Sequence, residues 1–144
     1  MNLWDDRKPI VYLCEGPWDA MILHETMSKA KNGDSGLMHT ASRESSLYAQ
    51  TNIIATPGCE VFFEPWIPLL KNKTVNIMFD SDHPRKTKNG IVPGGGWRGS
   101  NRIANLLMES RTPPQEVNIL TWGEEGYDPS YKSGFDVRDY ILTV

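Results

Sequence analysis

The sequence predicts an α/β domain with a central, mostly parallel four-stranded sheet flanked by helices. Three observations predict it. Four short β-prone runs recur along the chain: Pro9–Cys14, Asn52–Thr56, Val75–Phe79 and Glu116–Trp122. Segments of helical periodicity separate them, as parallel strands joined by crossover helices require. The chain shows neither an internal repeat nor a Gly/Ser/Pro linker, so its 144 residues are expected to form one domain over 1–144.

Composition narrows the class. With 39% hydrophobic and 23% charged residues the chain belongs with globular proteins, not disordered ones. No apolar run approaches the ~20 residues that span a bilayer, so no membrane partner is expected. Met1–Asp6 lacks the basic and apolar regions of a signal peptide. Two cysteines, Cys14 and Cys59, are too few for a disulfide scaffold or a four-thiolate zinc site. These features point to a reducing, cytoplasmic compartment. A net charge of −3 supplies no general attraction for nucleic acid, so any such contact must come from a local patch.

Taken in order, Pro9–Cys14 is a continuous apolar run, the pattern of a buried parallel strand. It ends at Glu15-Gly16-Pro17, where Gly16 permits a tight turn and Pro17 suits the first helical position. A helix should follow to about Lys31 and stop at Gly33. Its two apolar stripes, Trp18/Met21/Ile22 and Ala20/Leu23/Met27/Ala30, suit a well-packed crossover helix. Glu15 thus sits at a strand-to-helix switch, where open α/β sheets bind ligands. Asp19 is either part of that site or simply an acid favoured by the helix dipole. From Gly33 to Gln50 the chain turns polar and is expected to be a loop or short solvated helix, with His39 on the surface. The Thr56-Pro57-Gly58 turn after the second strand can turn backbone amides toward a phosphate. A helix is expected to begin at Val61 and to break near Pro65 and Pro68, with Phe62, Phe63, Trp66, Ile67, Leu69 and Leu70 in the core.

The third strand carries the chemistry. Val75–Phe79 is apolar enough for burial on both faces, and it runs without a turn into Asp80-Ser81-Asp82. Residues two apart on a strand share a face, with Cα atoms ~6.6 Å apart. Two such carboxylates repel each other, but together they suit a hard divalent cation. A solvent-facing aspartate pair is the alternative. The segment 83–99 then holds the chain's basic cluster, Arg85, Lys86, Lys88 and Arg98, among glycines and Trp97. A flexible cationic loop beside carboxylates could steer a phosphate backbone or a nucleoside triphosphate toward a metal. Gly94-Gly95-Gly96 is an anion site or a hinge, and Ser100 is expected to cap the next helix through Ile103, Leu106 and Leu107. At the end, Asp136 should cap a terminal helix whose buried stripe is Val137, Tyr140 and Ile141.

In combination these pieces resemble the Toprim domain. Glu15-Gly16 with Asp19 and Ala20 matches its glutamate motif, and Asp80-Ser81-Asp82 its Asp-x-Asp motif. Gly58 and the closing Lys132-Ser133-Gly134-Phe135-Asp136-Val137-Arg138-Asp139-Tyr140 are most similar to phage and plasmid primases and primase-helicases. The resemblance covers Ile10 to Leu142 and implies a compact, Rossmann-like Toprim fold. It implies a magnesium- or manganese-dependent nucleotidyltransferase that makes RNA primers on single-stranded DNA from nucleoside triphosphates. It further implies Glu15 as general acid/base and Asp80 and Asp82 as magnesium ligands, with Glu15 in the metal-binding set as a second possibility. Gly58 would join Arg85, Lys86, Lys88 and Arg98 in contacting nucleotide or nucleic acid, while Gly16, Asp19, Asp136 and Asp139 support the site. The compartment would be the bacterial host cell if the chain is phage-encoded.

The segment 83–99 is longer and richer in glycine and cation than a compact Toprim crossover needs, so its role does not carry over. No zinc module and no Walker A motif accompanies the chain, which is therefore expected to be a piece of a larger protein, fused to or acting with a helicase or other replication domains. Two other readings stay open: a Toprim-type nuclease or topoisomerase domain, and a non-catalytic nucleic-acid-binding module.

Overall fold

The computed structural model describes residues 4–31 and 47–143. Its main elements are β1 (Ile10–Cys14), α1 (Pro17–Lys31), β2 (Thr51–Ala55), a 3-10 helix (Glu64–Leu70) and β3 (Thr74–Met78). They continue with β4 (Arg85–Thr87), β5 (Gly90–Val92), α2 (Gly95–Met108), β6 (Glu116–Ile119), a 3-10 turn (Glu124–Gly126) and α3 (Val137–Thr143). The sheet has the order β2-β1-β3-β6 and every pairing in it is parallel. The expected α/β class, with four parallel strands flanked by helices in a compact Rossmann-like arrangement, is the observed one.

One face of the sheet makes the core. Val11, Leu13, Val75, Ile77 and Phe79 are buried against Ile103, Leu107 and Leu70. Ile103 and Leu107 lie four apart on α2 and so share a helix face. At ~1.5–3 kcal/mol for each large apolar side chain removed from water, this pair holds α2 on the sheet more firmly than any cap. The other face is thinly covered. Tyr12, Asn76 and Met78 are only half-buried, so β3 alternates and is not buried on both sides as expected. The Asn118 amide donates to Asn76 Oδ1 at 3.2 Å there, a polar pair where a second core was expected.

Three further expectations are corrected. On α1, Trp18 (68%) and Met21 (61%) stand exposed while Ala20, Ile22, Leu23 and Met27 are half-buried, so the first of its two expected apolar stripes is largely open. On α3, Val137 is buried but Tyr140 is 48% exposed, because seven residues give barely two turns to bury. The helix expected from Val61 is a 3-10 helix starting at Glu64, with Pro68 inside it. Proline supplies no amide hydrogen, which breaks the α-helical ladder. Leu70 reaches the core, while Phe63 and Leu69 remain exposed.

The segment after Asp82 is built as an antiparallel hairpin, β4 against β5, before α2 begins. The polar stretch 33–46, with His39, lies outside the described residues. No helix among the described residues is long and apolar enough to cross a membrane.

Candidate metal centre at the carboxyl edge of the sheet

Parallel pairing brings the strand ends together. Cys14 is in register with both Ala55 and Met78, so the residues that follow all three strands leave the sheet at one edge. Glu15 and Asp80 meet there, with the Asp80 amide donating to Glu15 Oε2 at 3.2 Å. Ser81 is fully buried and bridged to Phe135: its amide donates to the Phe135 carbonyl at 2.7 Å, and its own carbonyl accepts from the Gly134 amide at 3.0 Å. Its hydroxyl oxygen accepts from the Asp128 amide at 3.2 Å. Ser81 is thus pinned inward between Asp80 and Asp82, which are both half-buried.

Asp82 is oriented by α2. Its Oδ2 accepts from the Gly96 amide at 2.9 Å, at the helix N-terminus, where free amides and the helix dipole favour a carboxylate. This helix starts at Gly95, five residues before the expected cap, and Ser100 lies inside it, its hydroxyl donating to the Gly96 carbonyl at 2.7 Å. The glycines explain the early start. A Cβ on Gly94 would fall 2.0 Å from the Asp82 carbonyl oxygen, and one on Gly96 would fall 2.2 Å from that of Asp80. On Gly99 it would fall 2.2 Å from the carbonyl oxygen of Cys59. Gly94, Gly96 and Gly99 are therefore neither hinge nor spacer; they let α2 lie directly on the Asp80–Asp82 backbone.

The supporting residues divide. Asp19 is buried, and a Cβ on Gly16 would lie 3.3 Å from its Oδ2. Asp136 caps α3 as expected, its Oδ1 accepting from the Asp139 amide at 2.7 Å, and its Oδ2 pairs with Arg138 at 2.9 Å. Asp139 itself pairs with Lys132 at 3.0 Å, and that cation holds its carboxyl below the usual range. Gly58 has φ +151, a conformation side chains rarely adopt, and its turn delivers Cys59 to the start of α2. The basic cluster also divides: Arg85 and Lys86 lie on β4 and Lys88 in the hairpin turn, all exposed, while Arg98 is on α2 beside Glu60 at 3.4 Å.

Electrostatics tie the carboxylates into one unit. Burial pushes the Asp80 carboxyl up to about 8, assisted by Glu15, Asp19, Asp136 and Asp82. Burial likewise raises Asp19 to about 6, with Asp136 and Glu15 adding to it and Arg138 opposing. Glu15 is raised, chiefly by burial, against the stabilising Asp80 amide. Burial and the dipoles thus work in opposite directions on Glu15, and burial wins. Sequence reasoning did not single out two neighbours. Cys59 is pushed to about 11 by burial and by Glu15, and Arg138 opposes the negative charge at Asp19. Cys59 adjoins Gly58 and Arg138 lies within the closing motif two residues after Asp136, and that proximity was the available signal.

Among the described residues, no three His, Cys, Asp or Glu side chains converge at a spacing that holds a metal by themselves. Glu15 and Asp82 each spend an oxygen on a backbone amide. Glu15, Asp80 and Asp82 are hard oxygen donors, which fit magnesium in its usual protein mode. In that mode one or two carboxylates bind the ion, and waters and phosphates complete the shell. Compared with family models, curated proteins and solved structures, the chain matches none of them.

Proposed function

We propose that the chain is the metal-dependent catalytic domain of a DNA primase of the Toprim kind, a nucleotidyltransferase that builds RNA primers on single-stranded DNA. The observation that carries this reading is the meeting of Glu15, Asp80 and Asp82 at one sheet edge, with Asp80 driven to about 8 by burial first and by its carboxylate neighbours second. Such a charge concentration destabilises a fold and is useful when a cation arrives. The order of the motifs, with the glycine-lined start of α2 on the Asp80–Asp82 backbone, supports the primase assignment within that class.

Asp80 and Asp82 would hold magnesium or manganese, which when bound polarises the phosphate and neutralises charge on the transferring phosphoryl group. Glu15 handles the proton of the attacking hydroxyl. Its raised proton affinity makes it a stronger base than a solvated carboxylate, and the Asp80 amide fixes one of its oxygens. The Gly96 amide aims Asp82. Arg138 limits repulsion among Asp19 and Asp136, which keeps the cluster from opening. Arg85, Lys86 and Lys88 guide the phosphate backbone of the single-stranded template, and partner replication domains, a helicase among them, supply template capture.

Labelled ribonucleotide incorporation on single-stranded DNA with magnesium or manganese tests this. Slow incorporation by the chain is expected, abolished in Glu15→Gln while manganese still binds. Magnesium-dependent degradation of the DNA with no incorporation would refute the transferase assignment.

A further inference from the structure

Beside the carboxylates lies a second feature, a cleft of about 380 Å³ between the β4–β5 hairpin and the turn at 123–127. Pro84, Ile91, Pro93, Trp97 and Tyr127 wall it, and the exposed Glu125 stands among them. Its size is at the lower end of the ~300–1,000 Å³ range of small-molecule sites. The walls are specifically arranged. A Cβ on Gly126 would fall 2.5 Å from Trp97 Cε3, so only glycine lets the turn seat the indole. The Tyr127 ring is braced by His83 at 5.2 Å between centroids. Ile91 is 74% exposed, an apolar side chain left open on the hairpin.

Two polar features say what such a cleft would take. Glu125 lines the cleft from a turn in which it is held at φ 58, ψ 19, a left-handed conformation costly for a residue with a side chain. Lys86 pairs with Ile91 in the hairpin register, so its cation and the apolar wall share a face. An aromatic and apolar slot suits a flat base. A cation on the same face suits a phosphate. A carboxylate presents acceptors only. Among the bases, guanine alone offers two adjacent donors, N1–H and the 2-amino group, on one edge. Adenine sets an acceptor beside its amino group, and uracil flanks its donor with carbonyls.

We propose that this cleft binds the base of a guanine nucleotide, stacked among Trp97, Tyr127 and Ile91, with Glu125 accepting from its N1–H and 2-amino group. Lys86 meets the phosphates, which lead past Gly94 to Asp82; the two residues touch, as the 2.0 Å approach of a Gly94 Cβ to the Asp82 carbonyl oxygen requires. The purpose of the nucleotide rests on the nucleotidyl-transfer reading above, whereas its binding does not.

The test uses the 144-residue chain in chelator, titrated with GMP and AMP by calorimetry and by NMR of the Trp97 indole and Ile91 methyl signals. GMP should bind about fivefold more tightly than AMP and move both signals. Glu125→Gln should bring GMP down to the AMP level, Lys86→Ala should weaken both nucleotides together, and Arg111→Ala, at an exposed cation outside the cleft, should change neither. Absence of GMP binding, equal affinities in the unaltered chain, or signals that do not move would overturn the proposal. So would a guanine-free DNA oligonucleotide that moves the Trp97 and Ile91 signals as GMP does, since the apolar cleft would then belong to a strand. GMP binding without any ribonucleotide incorporation would retire the transferase reading and uphold the cleft. Incorporation without GMP binding would overturn the cleft alone.

Discussion

Asp80→Asn should stabilise the metal-free protein at alkaline pH and leave it unchanged once pH falls below the ordinary carboxylate range. The folded chain raises the Asp80 carboxyl from 3.8 to about 8. Between those values the folded state keeps a proton that the unfolded chain releases, so stability falls as pH rises through the window. Asp19, raised to about 6, and Glu15, also raised, act in the same direction. Each pH unit of displacement corresponds to ~1.4 kcal/mol, which would give over ~5 kcal/mol for Asp80 in isolation. Water reaches this half-buried carboxylate and screens its neighbours, which brings the expected gain at pH 8.5 down to about 2–3 kcal/mol. For a domain of this size that is a rise in Tm of roughly 8 °C. Thermal melts of both proteins in chelator, from about pH 3.5 to 8.5, read the effect as two curves that meet at the acid end and separate with rising pH. Parallel curves, or an Asn variant less stable at every pH, would refute the reasoning, because Asp80 would then be a structural hydrogen-bonding residue.

Other consequences follow from particular contacts. Magnesium at ten times its Kd should add about 1.4 kcal/mol to the unaltered chain, a rise in Tm of roughly 4–5 °C. Asp80→Asn and Asp82→Asn should lose most of that rise and Glu15→Gln less. Gly96→Ala should cost roughly 2–4 kcal/mol by denaturant unfolding, because its Cβ would meet the Asp80 carbonyl oxygen at 2.2 Å, and a cost under about 1 kcal/mol would show that α2 can retreat. Neutralising Arg85, Lys86 and Lys88 together should lower the salt slope of single-stranded DNA binding by about 2, whereas Arg98→Ala, whose cation already faces Glu60, should change it little. An unchanged slope in the triple variant would remove the hairpin from the DNA path.

The fold was legible because its strands are short, apolar and separated by helical spacing, and because Gly16-Pro17 marks a strand-to-helix turn without ambiguity. The Asp80-Ser81-Asp82 stretch was legible from the sequence as the polar end of a core strand. What escaped depended on approaches that no local pattern encodes. Gly94-Gly95-Gly96 reads equally well as hinge or anion site until Asp80 and Asp82 are found against it, and Gly99 has no reading until Cys59 is found against it. Ser100, a good cap by chemistry, lost the role because those glycines let the helix begin a turn earlier. The exposed Trp18 and Met21 carry the right periodicity for burial, but nothing described in the chain covers them. Cys59 went unnoticed because a lone cysteine has no pattern, and its place beside Glu15 exists only once β1, β2 and β3 align.

The central claim is that the carboxylates beyond β1 and β3 hold a divalent cation through Asp80 and Asp82. Titration of manganese into the chain, with free ion followed by electron paramagnetic resonance, measures this without reference to any reaction. The account predicts saturable binding in the unaltered chain, at least tenfold weaker binding in Asp80→Asn and in Asp82→Asn, and binding largely retained in Glu15→Gln. Equal manganese binding by the unaltered chain and both aspartate variants, or no binding by any of them, would contradict it.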